Sequence, residues 1–205
     1  MDVANDKYKT GYEEGEHEIL PNLLGITVKE EIDKQEFKGF LRVQYQFVDN
    51  LTDKTRFTTA FILDMHYQAL KHLYSFAGKL RTVNVSKGGF LFPASRFLPE
   101  AMKDFENEFL SPLPDSYADK EALIKDISKV HAEFLFIHPF REGNGRVARL
   151  LANLMALKAG YNFLSLEKIR NVRFKEYIYA VQMASNKDYS RMELIIRDAF
   201  ESGQN

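Results

Sequence analysis

Cysteine is absent from the 205 residues. That excludes a disulfide framework and thiol catalysis, and it fits a reducing, cytoplasmic setting. The N-terminus, Met-Asp-Val-Ala-Asn-Asp-Lys, is too polar for a signal peptide. No apolar run approaches the ~20 residues that a membrane span needs. An excess of one charge is missing as well: 28 Lys+Arg stand against 29 Asp+Glu, for a net charge of −1. A bulk basic field is therefore absent, and neither nucleic acid nor membrane is expected as a partner. The chain has no Walker loop, no Gly-x-Gly-x-x-Gly, no Gly-x-Ser-x-Gly and no His-Glu-x-x-His. It has no internal repeat and no low-complexity tract.

What is there is an apolar fraction of 45%, enough for a folded domain with a sizeable core. Apolar periodicity predicts a mainly α protein, a bundle of about seven helices with one β-hairpin. Thr27 followed by Glu30 reads as a capping box that opens a helix running to about Phe47, with Ile32, Phe37, Phe40, Leu41 and Tyr45 as its apolar stripe. Further helices are expected at about 58–76, stopped by Gly78, and at about 95–110, 120–137, 145–159, 167–185 and 189–201. Asp119 is placed to cap the helix at 120–137. Between the second and third helices, Val83 and Val85 alternate with polar residues. A turn signal, Ser86-Lys-Gly-Gly89, follows, and then Phe90-Leu-Phe92, so residues 81–93 read as a hairpin. Its edge is a candidate docking strand for an extended peptide. Residues 1–53 are expected to form an arm and a leading helix, and 54–205 the core of a single compact body.

Chemistry concentrates in His138-Pro-Phe-Arg-Glu-Gly-Asn-Gly-Arg-Val-Ala-Arg149. Gly143-Asn144-Gly145 supplies backbone for a sharp turn. Val147, Leu150, Leu151, Leu154, Met155 and Leu157 then recur at helical spacing. Arg146 and Arg149 fall at the start of that helix, where two cations conflict with each other and with the positive end of the dipole. Such a conflict is expected where a site awaits an anion, and amides, glycines and two guanidinium forks together suit a polyphosphate. Pro139 pushes His138 out of the preceding helix. His138 is a candidate general base and Glu142 a hard oxygen ligand of the kind that holds Mg²⁺ beside phosphates. Asn144 can bond either a phosphate oxygen or the turn backbone. Glu142 can equally pair with Arg146 or Arg149. His131 and His138 bracket Glu133, but Pro139 breaks the helix that would align them as metal ligands.

The loop resembles the signature of the Fic family, His-x-Phe-x-(Asp/Glu)-Gly-Asn-Gly-Arg-x-x-Arg, at every fixed position: His138, Phe140, Glu142, Gly143, Asn144, Gly145, Arg146 and Arg149. Phe76-Ala-Gly-Lys-Leu-Arg81 and the hairpin are similar to the family's flap region. The family is mostly bacterial. The resemblance implies transfer of AMP from ATP to a Ser, Thr or Tyr hydroxyl of a target protein. It implies His138 as general base and Glu142 holding Mg²⁺. The phosphates are then held by the Gly143 and Gly145 amides, Asn144, Arg146 and Arg149. It further implies that the flap, Val85, Ser86, Lys87, Gly88, Gly89 and Phe90, pairs with the target backbone, Lys87 or Phe90 clamping the side chain. Thr10-Gly-Tyr-Glu-Glu14-Gly15 fits the family's inhibitory pattern, whose glutamate, here Glu14, would pair with Arg149. Otherwise a separate antitoxin-like protein could supply the inhibitor. Transfer of another nucleotide or phosphate-containing group, removal of AMP, and a silent nucleotide-binding module stay open, as does assembly into a homo-oligomer.

Overall fold

A computed structural model of the chain describes residues 19–87 and 90–201. Eight α-helices occur among them. They are α1 (Lys29–Asp49), α2 (Thr59–Leu70), α3 (Leu98–Phe105), α4 (Lys120–Ile137), α5 (Asn144–Lys158), α6 (Leu166–Val172), α7 (Phe174–Met183) and α8 (Ser190–Glu201). Two strands, β1 (Ser86–Lys87) and β2 (Phe90–Leu91), pair antiparallel with Ser86 opposite Leu91 and Lys87 opposite Phe90.

α4 is the central rod. Its predicted apolar residues Leu123, Ile124, Ile127, Val130, Phe134, Leu135 and Ile137 are all buried, and α3, α5, α7 and α8 pack around it. Asp119 caps it as expected, its carboxylate accepting from the Ala122 amide at 2.8 Å. α5 runs beside α4, and α1 lies across α2 and α5. Gly39 makes that crossing close, because a Cβ there would come 2.1 Å from the Ala69 carbonyl oxygen.

Several elements depart from their predicted form. α1 begins after Val28 with no side-chain cap, so Thr27 and Glu30 form no capping box. Its inward face is Ile32, Glu36, Phe40, Val43 and Phe47, whereas Phe37 and Tyr45 are 64% and 63% exposed. A single face meets α2 and α5, and it includes a glutamate that hydrophobicity alone passes over. α2 stops at Leu70 rather than Phe76. The Leu73 and Tyr74 amides both turn back onto the Leu70 carbonyl, and the chain winds through turns to Gly78 at φ 74°. The helix expected at 95–110 opens with a 3₁₀ turn and closes with a π turn, where the Ser111 amide bonds the Glu106 carbonyl. That widened turn carries Glu106, whose carboxylate takes the Thr59 amide at 2.8 Å and helps cap α2. The helix expected at 167–185 is split at Arg173, whose side chain ties Glu176 to Asp198 of α8.

Candidate functional site

The predicted loop closes the gap between α4 and α5. Its geometry begins with His138, which ends α4 in the left-handed conformation (φ 51°) while its amide still bonds the Phe134 carbonyl. That conformation reverses the chain, and Pro139 keeps the helix from continuing. The His138 Nδ1 lies 3.2 Å from the Leu135 carbonyl. A carbonyl only accepts, so Nδ1 carries the proton and Nε2 of the neutral ring bears the lone pair. Phe92, just past β2, stacks on the imidazole at 4.1 Å.

Only Gly143 of the two loop glycines uses a positive φ, at 86°, and it stands directly before α5. A Cβ there would also press on Phe40 at 3.2 Å and Leu70 at 3.3 Å. Gly145 serves a different end. A Cβ at that position would meet the Arg149 Nη1 at 3.3 Å, so its absence keeps the space beside that guanidinium open.

Asn144 is buried, and its side chain is spent on the loop itself. Oδ1 accepts from the Phe140 amide at 2.8 Å and Nδ2 donates to the Phe140 carbonyl at 2.7 Å. Both atoms of its amide group thus staple the turn backbone. The backbone amides of Asn144, Gly145 and Arg146 lie in the first turn of α5, where no intrahelical acceptor exists. Arg149 sits one turn deeper than the sequence pattern suggested, its Nε paired with Glu167 of α6 at 2.7 Å.

The conflict of charge at the start of α5 is partly answered from within the protein. Nη2 of Arg146 bonds Glu36 at 2.6 Å and Glu142 at 3.0 Å, and its guanidinium lies over the Phe40 ring at 4.8 Å. Burial works against the Arg146 charge, but the two carboxylates outweigh it and raise its pKa. Among the described residues both carboxylates use Nη2, which leaves Nε–H and the Nη1 hydrogens as separate donors for an anion. Glu142 Oε1 also accepts from the Gly143 amide at 2.7 Å. Glu36 is held in turn by the Tyr74 hydroxyl at 2.6 Å. Burial and the neighbouring Glu36 both push the Tyr74 pKa upward, so the phenol stays a donor.

His66 braces the loop from α2. Its ring stacks face to face on Phe140 at 3.7 Å. Nδ1 accepts from the Gly78 amide at 2.8 Å, so Nε2 carries the proton and donates to the Glu142 carbonyl at 3.0 Å. Burial lowers its pKa to about 4, which keeps it neutral. His131 is a core residue, its Nδ1 on the Ala148 carbonyl and its Nε2 on the Tyr177 hydroxyl; burial takes its pKa to about 3. Among the described residues no group of three or more His, Cys, Asp or Glu side chains could hold a metal ion.

The hairpin stands over His138, with Phe90 against Phe92 and Phe136. Its two strands make up the whole sheet among the described residues. Gly88 and Gly89 lie outside the described residues, as do Thr10, Glu14 and Gly15. Glu36, His66, Tyr74 and Arg81 were missed by sequence reasoning. The one legible signal was Glu36, an acid at i+4 from both Ile32 and Phe40 on an otherwise apolar face.

Residues 56–156 match the Fic/DOC family model. A protein adenylyltransferase Fic from Aedes aegypti is 28% identical over 185 residues, covering 89% of this chain and 36% of the relative. The chain therefore spans about a third of the length of such relatives. The N-terminal FIC domain of the Bep8 protein, a VirB-translocated effector from Bartonella sp. 1-1C, superposes with a TM-score of 0.72 at 16% identity, over 89% of this chain and 90% of that one. The BepC protein of Bartonella tribocorum, solved with bound AMPPNP, has a TM-score of 0.70 at 16% identity, covering 95% of each chain. The agreement of loop, helical frame and family model places this chain, through residues 56–156, in the Fic/DOC family.

Proposed function

We propose that the protein transfers AMP from ATP to a Ser, Thr or Tyr hydroxyl of a target protein. The observation that carries this is the orientation of His138: Nδ1 faces the Leu135 carbonyl, which puts the proton-accepting lone pair of the ring on Nε2. It stands under the hairpin and beside the N-terminus of α5. The adenylyltransferase naming of relatives and the nucleotide bound in a structural neighbour support the same reading.

In the transfer, the target hydroxyl oxygen attacks the α-phosphorus and gives its proton to His138 Nε2. A new P–O bond forms to the target, the bond between the α-phosphorus and the bridging oxygen breaks, and pyrophosphate leaves. The amides of Asn144, Gly145 and Arg146, the Nε and Nη1 donors of Arg146, and Arg149 are arranged to bind phosphate oxygens. Arg149 would exchange Glu167 for phosphate. Glu142 fits a Mg²⁺ role: Oε1 is held by Gly143 and Arg146, Oε2 is left, and a lone carboxylate suits a cation that takes its other ligands from phosphate and water. Bound there, the ion would neutralise charge on the phosphates. The flap expected to pair with the target backbone comprises Val85, Ser86, Lys87 and Phe90 and, in sequence, Gly88 and Gly89.

ATP labelled on the α-phosphate, incubated with a lysate and with wild type or His138→Ala, tests the proposal. Label on protein that disappears with His138→Ala is expected. Absence of label from wild type in every lysate, or label that persists in His138→Ala, would count against it.

A further inference from the structure

Arg81 is 4% exposed, and among the described residues no carboxylate pairs with it. Its guanidinium donates to three backbone carbonyls instead: Nε to His138 at 2.8 Å, Nη1 to Val83 at 2.7 Å and Nη2 to Pro93 at 2.6 Å. Its own amide bonds the Pro139 carbonyl at 2.8 Å. Burial lowers its pKa to about 10, which still leaves it protonated at neutral pH. A buried cation facing only dipoles is costly, and a protein gains little stability by it over an apolar residue. The arrangement is one that only a planar fork can make, since a lysine has a single nitrogen.

The three carbonyls are the informative part. Val83 and Pro93 are the two legs of the hairpin, one before β1 and one after β2. His138 is the residue whose strained left-handed backbone aims its ring. Pro93 directly follows Phe92, and Phe92 stacks on the His138 ring at an interplanar angle of 24°. The legs are also tied by Ser95, whose amide bonds Asn84 at 2.9 Å and whose hydroxyl bonds the Thr82 carbonyl at 3.0 Å. That second tie does not reach His138. Among the described residues, Arg81 and the Phe92 stack both link the hairpin to the histidine.

We infer that Arg81 is a positioning residue for the transfer reaction, joining the hairpin legs to the His138 carbonyl so that a hydroxyl presented on the hairpin meets Nε2 of a ring already aimed at it. This rests on the proposed adenylyl transfer. Arg81 touches neither the nucleotide cradle nor the phosphate-binding donors of Arg146, so its removal acts on the turnover step and leaves ATP binding in place.

The test compares wild type, Arg81→Lys, Arg81→Ala and Phe92→Leu, each checked for folding by its melting curve. Arg81→Lys is expected to lower kcat by about 100-fold, the scale of a misplaced catalytic group, with KM for ATP held within about threefold. Added guanidinium should restore part of the Arg81→Ala activity. Independently of activity, the His138 ring signals in a ¹³C-histidine spectrum, assigned with His138→Ala, should lose their ring-current shift from Phe92 in Arg81→Lys. A folded Arg81→Lys with unchanged kcat and unchanged His138 signals overturns the inference, as does a KM for ATP that rises in step with the fall in kcat. If the arginine variants do not fold, Phe92→Leu decides: it must move the His138 signals and lower kcat, and failing that the inference is wrong. If wild type transfers no nucleotide, the proposed function fails, while the His138 signals still report whether Arg81 sets the ring.

Discussion

Glu36 and Arg146 are 110 residues apart in sequence and joined by a 2.6 Å ion pair, with 7% and 26% of their side chains exposed. Removing one partner of such a pair strands the other charge, a loss of about 3 kcal/mol or more in buried pairs. Glu36→Gln keeps the shape and can still accept from Tyr74, so it removes chiefly the charge. We expect its thermal midpoint to fall by several degrees, on the scale of about 2 kcal/mol. ATP should raise the midpoint of the variant by more than that of wild type, because phosphate supplies the missing negative charge. Calorimetry with and without ATP measures both; equal midpoints for the two proteins would show that the pair is dispensable.

Stability should fall steeply below neutral pH. His66 and His131 have folded pKa values of about 4 and about 3, against 6.5 for the free side chain. Depressed values mean that folding favours the neutral ring. Their contribution is therefore complete above pH 6.5 and is lost as the pH drops from there toward the folded values, because the unfolded chain takes protons that the folded chain refuses. The slope is about 1.4 kcal/mol per pH unit for each ring. Urea denaturation at pH 7 and pH 4.5 should differ by up to about 5 kcal/mol. His66→Gln, which can reproduce one donor and one acceptor, should halve that difference. A urea midpoint that does not move between the two pH values would contradict the assignment.

The two loop glycines should respond unequally. Gly143→Ala forces a side chain into φ 86° and against Phe40 and Leu70, so a loss of about 1–3 kcal/mol is expected. Gly145→Ala meets only the end of the Arg149 side chain. It should cost less stability and weaken ATP binding more. Denaturation midpoints and ATP titration of both variants give the comparison; a Gly145→Ala protein that is the less stable of the two would reverse it.

Glu167 should be a weak competitor for Arg149. Its side chain is 59% exposed, and exposed pairs contribute about 0–1 kcal/mol. Glu167→Gln should therefore tighten ATP binding by no more than about fivefold, measured by isothermal titration. A change of a hundredfold would mean that Glu167 governs access to the arginine.

The site was legible in the sequence where its chemistry is local. His138, Glu142, Gly143 and the two arginines sit within one short stretch, and Pro139 and Gly143 mark its bends. The hairpin was readable as a unit but not in its register: the alternating Val83 and Val85 lie before β1, and Ser86-Lys87, read as part of the turn, form that strand. What escaped depends on distant pairing. Glu36 counted as a polar interruption in an apolar stripe until α1 was laid against α5. Nothing near Tyr74 predicts that α2 ends early to bring its hydroxyl to Glu36. Arg173 breaks a helix without proline or glycine, through bonds to Glu176 and to α8. Asn144 was left with two partners by its chemistry, and only the folded loop shows that both amide atoms are taken by Phe140.

That use of Asn144, with the His66 bond to the Glu142 carbonyl, has a consequence for how the nucleotide arrives. The shape of the loop is fixed when the chain folds, by contacts that owe nothing to a ligand. The loss of conformational freedom that a floppy phosphate loop would incur on binding has already occurred. Association should then resemble the filling of a rigid mould, with a rate set by diffusion and charge and only a small ordering cost in the loop backbone.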